Sequence, residues 1–337
     1  MQRQFIHKFN DIASLDNLFA AWRDFYLAKS KKKDVQNFAL NLIDNIVQLH
    51  SDLANQTYQH GGYHNFAISD PKPRQIHKAQ VRDRVLHHAI YRLLYPFFDK
   101  LFISDSYSCR INKGTHKAMY RFHKMAYKVS KNHTKTAWVL KCDIKKFFAS
   151  IDHQTLIGIL ERYIPDRDII GLLYNVIDSF SIYSPGKGLP LGNLTSQLFC
   201  NVYMNELDQY VKHKLKARYY IRYADDFVLL SENKEWLKQQ IPKISEFLNI
   251  ELKLSLHPDK ILLKTLASGV DFLGWVHFPK YKKLRTATKK RMLKRIAVSP
   301  TSQTFQSYLG LMSQGQTFKT KQEVINLYAL NRNLHID

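Results

Sequence analysis

Acidic residues are the scarce class in this chain. Its 337 residues include 28 Asp or Glu against 51 Lys or Arg, a formal net charge of +23. That lies far outside the magnitude of ~2–8 typical of a small soluble domain. So large an excess works against compaction by self-repulsion and points to a polyanionic partner. Nucleic acid comes first and an anionic membrane surface second. Long apolar runs are missing too. No stretch approaches the ~20 residues that span a bilayer. Met1 to Asn10 is polar where a secretory signal needs an apolar core. Cysteine is rare: Cys109, Cys142 and Cys200 stand far apart with no CxxC pair. That argues against a disulfide framework or a cysteine zinc site and for reduced, cytosolic thiols. No internal repeat and no low-complexity linker divides the chain.

What is present is enough apolar material for a sizeable core, 45% of the residues. The length suggests two or three lobes. The basic residues are distributed from Lys31, Lys32 and Lys33 through to Lys321, which suits a charged groove better than a basic tail. Residues 14–54 carry apolar positions near helical spacing, among them Phe38, Leu42, Ile43, Ile46 and Val47. Residues 57–76 read as loop and short strand. Val81 to Phe98 is helical, with Pro96 as its kink or end. Thr115 is positioned to cap the helix that follows. Ala137 to Asp143 is a short apolar run ending in an acid, the pattern of a buried strand. Helices follow near 153–163 and 167–180, then the turn cluster Pro185 to Pro190, and one long helix over 193–216. Tyr219 to Leu230 has two apolar arms around Ala-Asp-Asp and reads as a hairpin. A helix over about 233–249 and strand-like pieces at 252–256, 260–265 and 271–278 precede a basic, mostly helical end. The order predicts an α+β core between two helical lobes.

The chemistry sits in the acids. Asp225 and Asp226 lie between Ile221-Arg-Tyr-Ala and Phe227-Val-Leu-Leu. Adjacent carboxylates among apolar strand residues are costly unless something neutralises them. A divalent cation does so directly, and Mg²⁺ is commonly held by one or two carboxylates plus substrate phosphates. Side chains alternate along a strand, so the two acids share a face only at a turn. Asp143, ending the earlier apolar run, supplies a third carboxylate. Two metals about 4 Å apart would activate a hydroxyl and stabilise a leaving pyrophosphate. An Asp-Asp pair alone is more often a solvated hairpin tip. Its conjunction with Asp143 and with the positive charge reverses the odds.

Tyr223-Ala-Asp-Asp226 resembles the YxDD box of reverse transcriptases, and Asp143-Ile-Lys-Lys-Phe-Phe-Ala-Ser-Ile-Asp-His153 their first catalytic-acid motif. Gly188-Leu-Pro-Leu-Gly-Asn-Leu-Thr-Ser-Gln197 is similar to the segment between them, and Phe272-Leu-Gly-Trp275 to the primer grip. Lys72-Pro-Arg74, Arg82-Asp-Arg84 and Ser106 to Thr115 resemble fingers motifs. The matches run in family order from about 70 to 278.

This resemblance implies a right-hand polymerase. An N-terminal helical extension would cover 1–55, fingers 56–136 with part of 153–190, and a palm with primer grip 137–280. The palm would have an antiparallel sheet carrying the YADD hairpin, and a basic helical thumb would cover 281–337. It implies two Mg²⁺ ions, with Mn²⁺ able to substitute, held by Asp143, Asp225, Asp226 and the carbonyl of Ile144. Phe148 would be the steric gate that selects dNTPs, while Phe147 is the core ring. Arg74, Arg82 and Arg84 would contact triphosphate or template phosphate, each open to the plainer reading of an ion-pair partner. Leu191, Gly192 and Gln197 would border the nucleotide, and Lys260 would approach it from the palm. Phe272, Leu273, Gly274 and Trp275 would grip the primer. Lys289, Lys290, Arg291, Lys294 and Arg295 would track the template–primer duplex.

The middle motif departs from the common QGxxxSP form, with Leu191 in place of the Gln and Gln197 in place of the Pro. That form resembles the reverse transcriptases of diversity-generating retroelements, a bacterial or phage lineage akin to that of group II introns. The resemblance implies error-prone copying of a template RNA at adenines, in the cytoplasm and off the membrane. It also implies a small basic accessory protein forming a helical oligomer. A bacterial antiphage reverse transcriptase is the alternative biology. A non-catalytic RNA-binding scaffold is the alternative of another class.

Overall fold

The computed structural model describes residues 3–27, 29–69, 73–182 and 184–333. Lys72 of the first fingers motif and the last four residues of the C-terminal lobe lie outside the described residues. The N-terminal lobe has helices α1 (Phe9–Ala13), α2 (Leu15–Leu27), α3 (Lys33–Leu40) and α4 (Leu42–Ala54). Strands β1 (Tyr63–Ile68) and β2 (Arg74–Ala79) form an antiparallel hairpin that leads into α5 (Val81–Asp99) and α6 (Thr115–Val129). Helix α5 runs past Pro96 to Asp99. A proline so near the C-terminal end removes little of the ladder, and buried Leu94, Tyr95 and Phe98 hold the last turn in place.

The central sheet starts with β3 (Trp138–Asp143). After it come α7 (Phe147–Ser150), α8 (His153–Glu161), α9 (Arg167–Asp178) and α10 (Leu194–Gln209). The single helix expected over 193–216 ends at Gln209 and passes into a π-helical turn, Tyr210–Lys214. Packing decides this: Tyr210 stacks on Phe247 with ring centroids 4.2 Å apart, and Lys212 Nζ donates to the carbonyls of Ala217 and Arg218. Then come β4 (Tyr220–Tyr223), β5 (Asp226–Ser231), α11 (Lys234–Leu252) and β6 (Leu262–Thr265). The strand expected over 252–256 is the end of α11 followed by one isolated bridge, Leu256 to Ile144.

The sheet order is β4-β5-β3-β6, every pair antiparallel. Leu140, Cys142, Phe227 and Leu229 join the large core shared with the N-terminal lobe. Val139, Ile221, Val228 and Leu230 join a second cluster with Phe122 and Met125 of α6. Burial on both faces explains why β3 and β5 read as continuous apolar runs and not as alternating ones.

Residues 271–278 form two strands, not one. β7 (Val270–Phe272) and β8 (Trp275–His277) pair across a two-residue turn in which Leu273 and Gly274 have φ of +53° and +83°. Two positive φ angles match the hairpin turn that follows strand twist. β9 (Lys282–Leu284) adds a third strand, across the boundary expected at 280/281. The C-terminal helices α12 (Thr286–Val298), α13 (Ser302–Met312) and α14 (Phe318–Asn333) enclose only a small core around Met292, Ile296, Met312 and Val324. No helix among the described residues is long and apolar enough to cross a membrane.

Candidate active site

Tyr223 and Asp226 are register partners, so Ala224 and Asp225 make a two-residue turn between β4 and β5. Ala224 holds φ at +55°, unusual for a residue with a Cβ. On its other edge β5 pairs with β3, and there Asp226 lies opposite Asp143. Directly opposed residues present their side chains on one face. The three acids read from the sequence are therefore brought together at one end of the central sheet.

Their neutralisation is incomplete. Lys260 Nζ lies 2.8 Å from Asp143 Oδ1, and Lys141 Nζ lies 3.1 Å from Asp226 Oδ2. Asp225 makes no ion pair among the described residues. Burial pushes the Asp225 carboxyl above the usual carboxylate range, and the charge of Asp143 adds to the shift. Burial likewise raises Asp226 to about 7, against the countering pull of Lys141. Asp226 Oδ1 is buried with no hydrogen-bond partner. A buried carboxylate oxygen left unpaired beside two further acids fits a divalent cation. Among the described residues no three His, Cys, Asp or Glu side chains converge closely enough to enclose an ion alone. Ile144 follows Asp143 and forms an isolated bridge with Leu256. The Ile144–Leu256 bridge is held by His257 N–H to the Asp143 carbonyl (2.8 Å) and Lys145 N–H to the Ser255 carbonyl (2.9 Å). Backbone groups alternate in direction along a strand, so the Ile144 carbonyl faces away from Leu256.

Phe147 is 3% exposed and part of the core, while Phe148 is half-buried with its ring edge-on to Phe147 at 5.5 Å. The loop carrying Leu191 and Gly192 is strapped to both neighbours. Leu189 N–H donates to the Phe148 carbonyl at 2.8 Å, and His77 N–H of β2 donates to the Leu191 carbonyl at 2.9 Å. Gly192 has φ +110°, and a Cβ there would meet Ile76 Cγ2 at 2.8 Å, so glycine is required twice over. Gln197 is half-buried in α10.

The three arginines expected to meet phosphate divide. Arg74 is exposed, and its charge reaches Asp225, opposing the upward shift there. Arg82 pairs with Asp52 and Arg84 with Asp34, both acids of the N-terminal lobe, and each guanidinium lies 5.0 Å over a ring, Tyr58 and Phe25. Phe272 and Trp275 are buried, with Leu273 and Gly274 at the hairpin tip between them. In the C-terminal lobe Lys289 pairs with Glu323 at 2.8 Å. Lys290, Lys294 and Arg295 are exposed, and Arg291 is half-buried.

Four supporting residues are not evident from sequence pattern. Lys141 joins Asp226 to the Asp271 carbonyl (2.8 Å) beside the Phe272–Trp275 hairpin. Its one signal is a lone lysine in an apolar strand. Asn193 donates to the His77 carbonyl at 2.9 Å, locking the 191–193 loop to β2. Buried His153 reaches the Gly188 carbonyl at 2.7 Å. Thr115 is not a cap: Gly114, at φ +103°, takes that position, and Thr115 Oγ1 donates to the Tyr223 hydroxyl at 3.1 Å.

Comparison with known proteins agrees with this geometry. Residues 69–277 match the family described as reverse transcriptase (RNA-dependent DNA polymerase). Protein YkfC of Escherichia coli K12 is 28% identical over 246 residues, covering 61% of this chain and 63% of YkfC. The group II intron-encoded protein LtrA of Lactococcus lactis is 22% identical over 263 residues, 57% of this chain and 42% of LtrA. The chain thus spans less than two thirds of these relatives. Among solved structures, apo telomerase from Candida tropicalis shares the fold, with TM-score 0.50 at 13% identity, over 66% of this chain and 55% of that one. The family match covers well over half of the chain, which therefore belongs to the reverse transcriptase family.

Proposed function

We propose that this protein is an RNA-directed DNA polymerase that extends a primer on an RNA template with dNTPs. The observation that carries the reading is the register pairing of Asp143 with Asp226 beside the Asp225 turn, with Asp226 Oδ1 buried and unpartnered. Asp143, Asp225, Asp226 and the Ile144 carbonyl would hold the divalent ions. When bound, Mg²⁺ or Mn²⁺ supplies the Lewis acidity that nucleotidyl transfer needs. The chain's own groups do the rest. Lys260 and Lys141 hold two carboxylates in place and balance part of their charge. Phe148, braced against Phe147, stands where a ribonucleotide's 2′-hydroxyl would clash. Arg74 is the fingers arginine free to meet phosphate, since Arg82 and Arg84 are engaged by the N-terminal lobe. The Phe272–Trp275 hairpin sets the primer end, and Lys290, Lys294 and Arg295 follow the duplex backbone, which is recognised by shape and charge.

Primer extension on RNA templates with Mg²⁺ tests this, using dNTPs or NTPs and the Asp225→Asn/Asp226→Asn variant as control. Metal-dependent dNTP incorporation by the wild type alone is expected. Its absence, even with the native RNA and any accessory protein, overturns the reading.

The finer assignment is a copier of the diversity-generating type, supported by Leu191 at the common Gln position. An amide there could hydrogen-bond near the nascent pair, whereas Leu191 can only pack, and lost polar contacts weaken discrimination. Leu191→Gln is expected to lower misincorporation at template adenines. Equal adenine error rates in sequenced cDNA would sink this assignment. The same resemblance adds a small basic helical partner and a cytoplasmic setting. Tight, specifically primed synthesis by the protein alone on its own RNA would remove the need for that partner.

A further inference from the structure

Arg222 lies one residue before the YADD segment and is wholly buried. A buried guanidinium is costly unless each of its five N–H groups finds an acceptor. Here all five do. Nε and Nη2 form a fork on Asp208 at 2.7 and 2.6 Å. Nη2 also donates to Ser106 Oγ at 3.1 Å, and Nη1 to Asn201 Oδ1 at 3.3 Å. The fifth bond, from Nη1, goes to the Ala224 carbonyl at 3.0 Å. The Tyr220 hydroxyl adds a bond to Asp208 Oδ1 at 2.7 Å. The backbone around Arg222 is tied down as well, donating to the Asp105 carbonyl and accepting from Tyr107 N–H, both at 3.0 Å.

The fifth bond is the informative one. A fork on Asp208 is enough to neutralise the charge, so reaching forward to the turn serves another end. The Ala224 carbonyl belongs to the peptide that carries Asp225. Ala224 holds a left-handed φ that an alanine does not favour. A donor fixed on that carbonyl sets the peptide plane, and with it the direction in which the Asp225 side chain leaves the backbone.

Building on the polymerase reading above, we propose that Arg222 is a positioning residue. It locks the Ala224–Asp225 peptide from behind the sheet and so aims the Asp225 carboxylate at the space it shares with Asp143. It acts through Asp225 and touches no substrate.

The test uses the full chain and reads Mn²⁺ affinity by calorimetry, together with dNTP incorporation. Arg222→Lys keeps a cation against Asp208, but a point-like ammonium lacks the fork that spans both Asp208 and the Ala224 carbonyl. The expected result is a near-native melting temperature with Mn²⁺ affinity reduced about tenfold. kcat should fall about 100-fold, as for a misplacement near 1 Å, with KM for primer–template unmoved. Adding Ala224→Gly, which accepts positive φ without strain, should recover part of both losses. The apolar set Arg222→Met/Asp208→Leu/Tyr220→Phe removes the buried pair without leaving an orphan charge and guards against a folding defect. It should show the same Mn²⁺ loss and the same recovery. Mn²⁺ affinity within about twofold of wild type in either folded variant, or a loss that Ala224→Gly does not touch, overturns the proposal. Mn²⁺ binding is read whether or not the wild type polymerises, so failure of the polymerase reading shows separately, as a wild type that incorporates no dNTP.

Discussion

Two groups of carboxylates in this acid-poor chain are treated in opposite ways. In the seam between the N-terminal lobe and the β2–α5 segment, acids and cations are matched: Asp24 with Arg92, Asp34 with Arg84 and Lys78, Asp52 with Arg82. Burial pushes the Asp34 carboxyl up, but its bonds to Lys78 and Arg84 outweigh that and hold it below the usual range. At the end of the central sheet, three acids share two lysines, and burial wins: Asp225 and Asp226 are both raised. Matched acids hold the fold together. Under-matched acids leave a strained site, as the proposed cation site requires. The positive charge that looks uniform in the sequence is likewise divided into cations consumed by the seam and exposed cations such as Lys290 and Lys294 on α12.

The sharpest way to break this contrast is to exchange the two kinds of acid for neutral groups. Asp225→Asn is expected to lower dNTP incorporation by on the order of 10³-fold or more with the fold intact. Asp34→Ala should leave incorporation per folded molecule within about threefold. Comparable losses of activity in both would end the distinction.

Stability should move the other way. Asp226 has a folded pKa near 7 against an ordinary 3.8. Its penalty is absent below the ordinary value, grows as pH rises, and is complete above 7. In metal-free buffer at pH 8, Asp226→Asn is therefore expected to be more stable than wild type by about 4 kcal/mol. The gap should close toward pH 4 and shrink on adding Mg²⁺, as read by urea unfolding. A destabilised Asn variant at pH 8 would contradict the account. Asp34→Ala should lose about 2 kcal/mol, because Arg84, 11% exposed, is left without a carboxylate. Asp34 is depressed, so that loss should be constant from pH 5 to 8 and vanish only as pH falls through its folded value. The smallest effect is expected on α12. Lys290→Gln/Lys294→Gln should change stability by less than about 0.5 kcal/mol. The same pair should reduce the slope of log affinity against log salt for template–primer by about 1.5. An unchanged slope would remove these lysines from the duplex-binding face.

Much of the site is legible in the amino-acid sequence, because strands β3 and β5 carry their own signal: apolar runs that end at acids. The same holds for Phe147 and Phe148, where position relative to Asp143 separates core ring from half-buried ring. What pattern does not reveal depends on partners distant in the chain. Lys141, His153 and Arg222 are polar residues whose burial makes sense only beside Asp226, Gly188 and Asp208. Local rules also lose to packing at Thr115. At 271–278 a leucine takes a positive φ, which propensity alone does not suggest. Arg82 and Arg84 sit in a motif that implies phosphate, yet the lobe before them supplies carboxylates that take up both guanidiniums.

The position of β3 also bears on the order in which the molecule can be built. Both of its edges are claimed by strands made much later, β5 from Asp226 and β6 from Leu262. The first hundred residues pack α2 against α5 through contacts closer in sequence. Local contacts form fast, while distant pairings wait on loop closure. During synthesis the partners of the N-terminal helices in α5 are therefore made while β3 is still an unpaired apolar strand. Asp143 meets Asp226 only after residue 226 has been made, so a ribosome stalled before that point holds a chain without its three-acid site. The nascent chain exposes an aggregation-prone edge during the same interval.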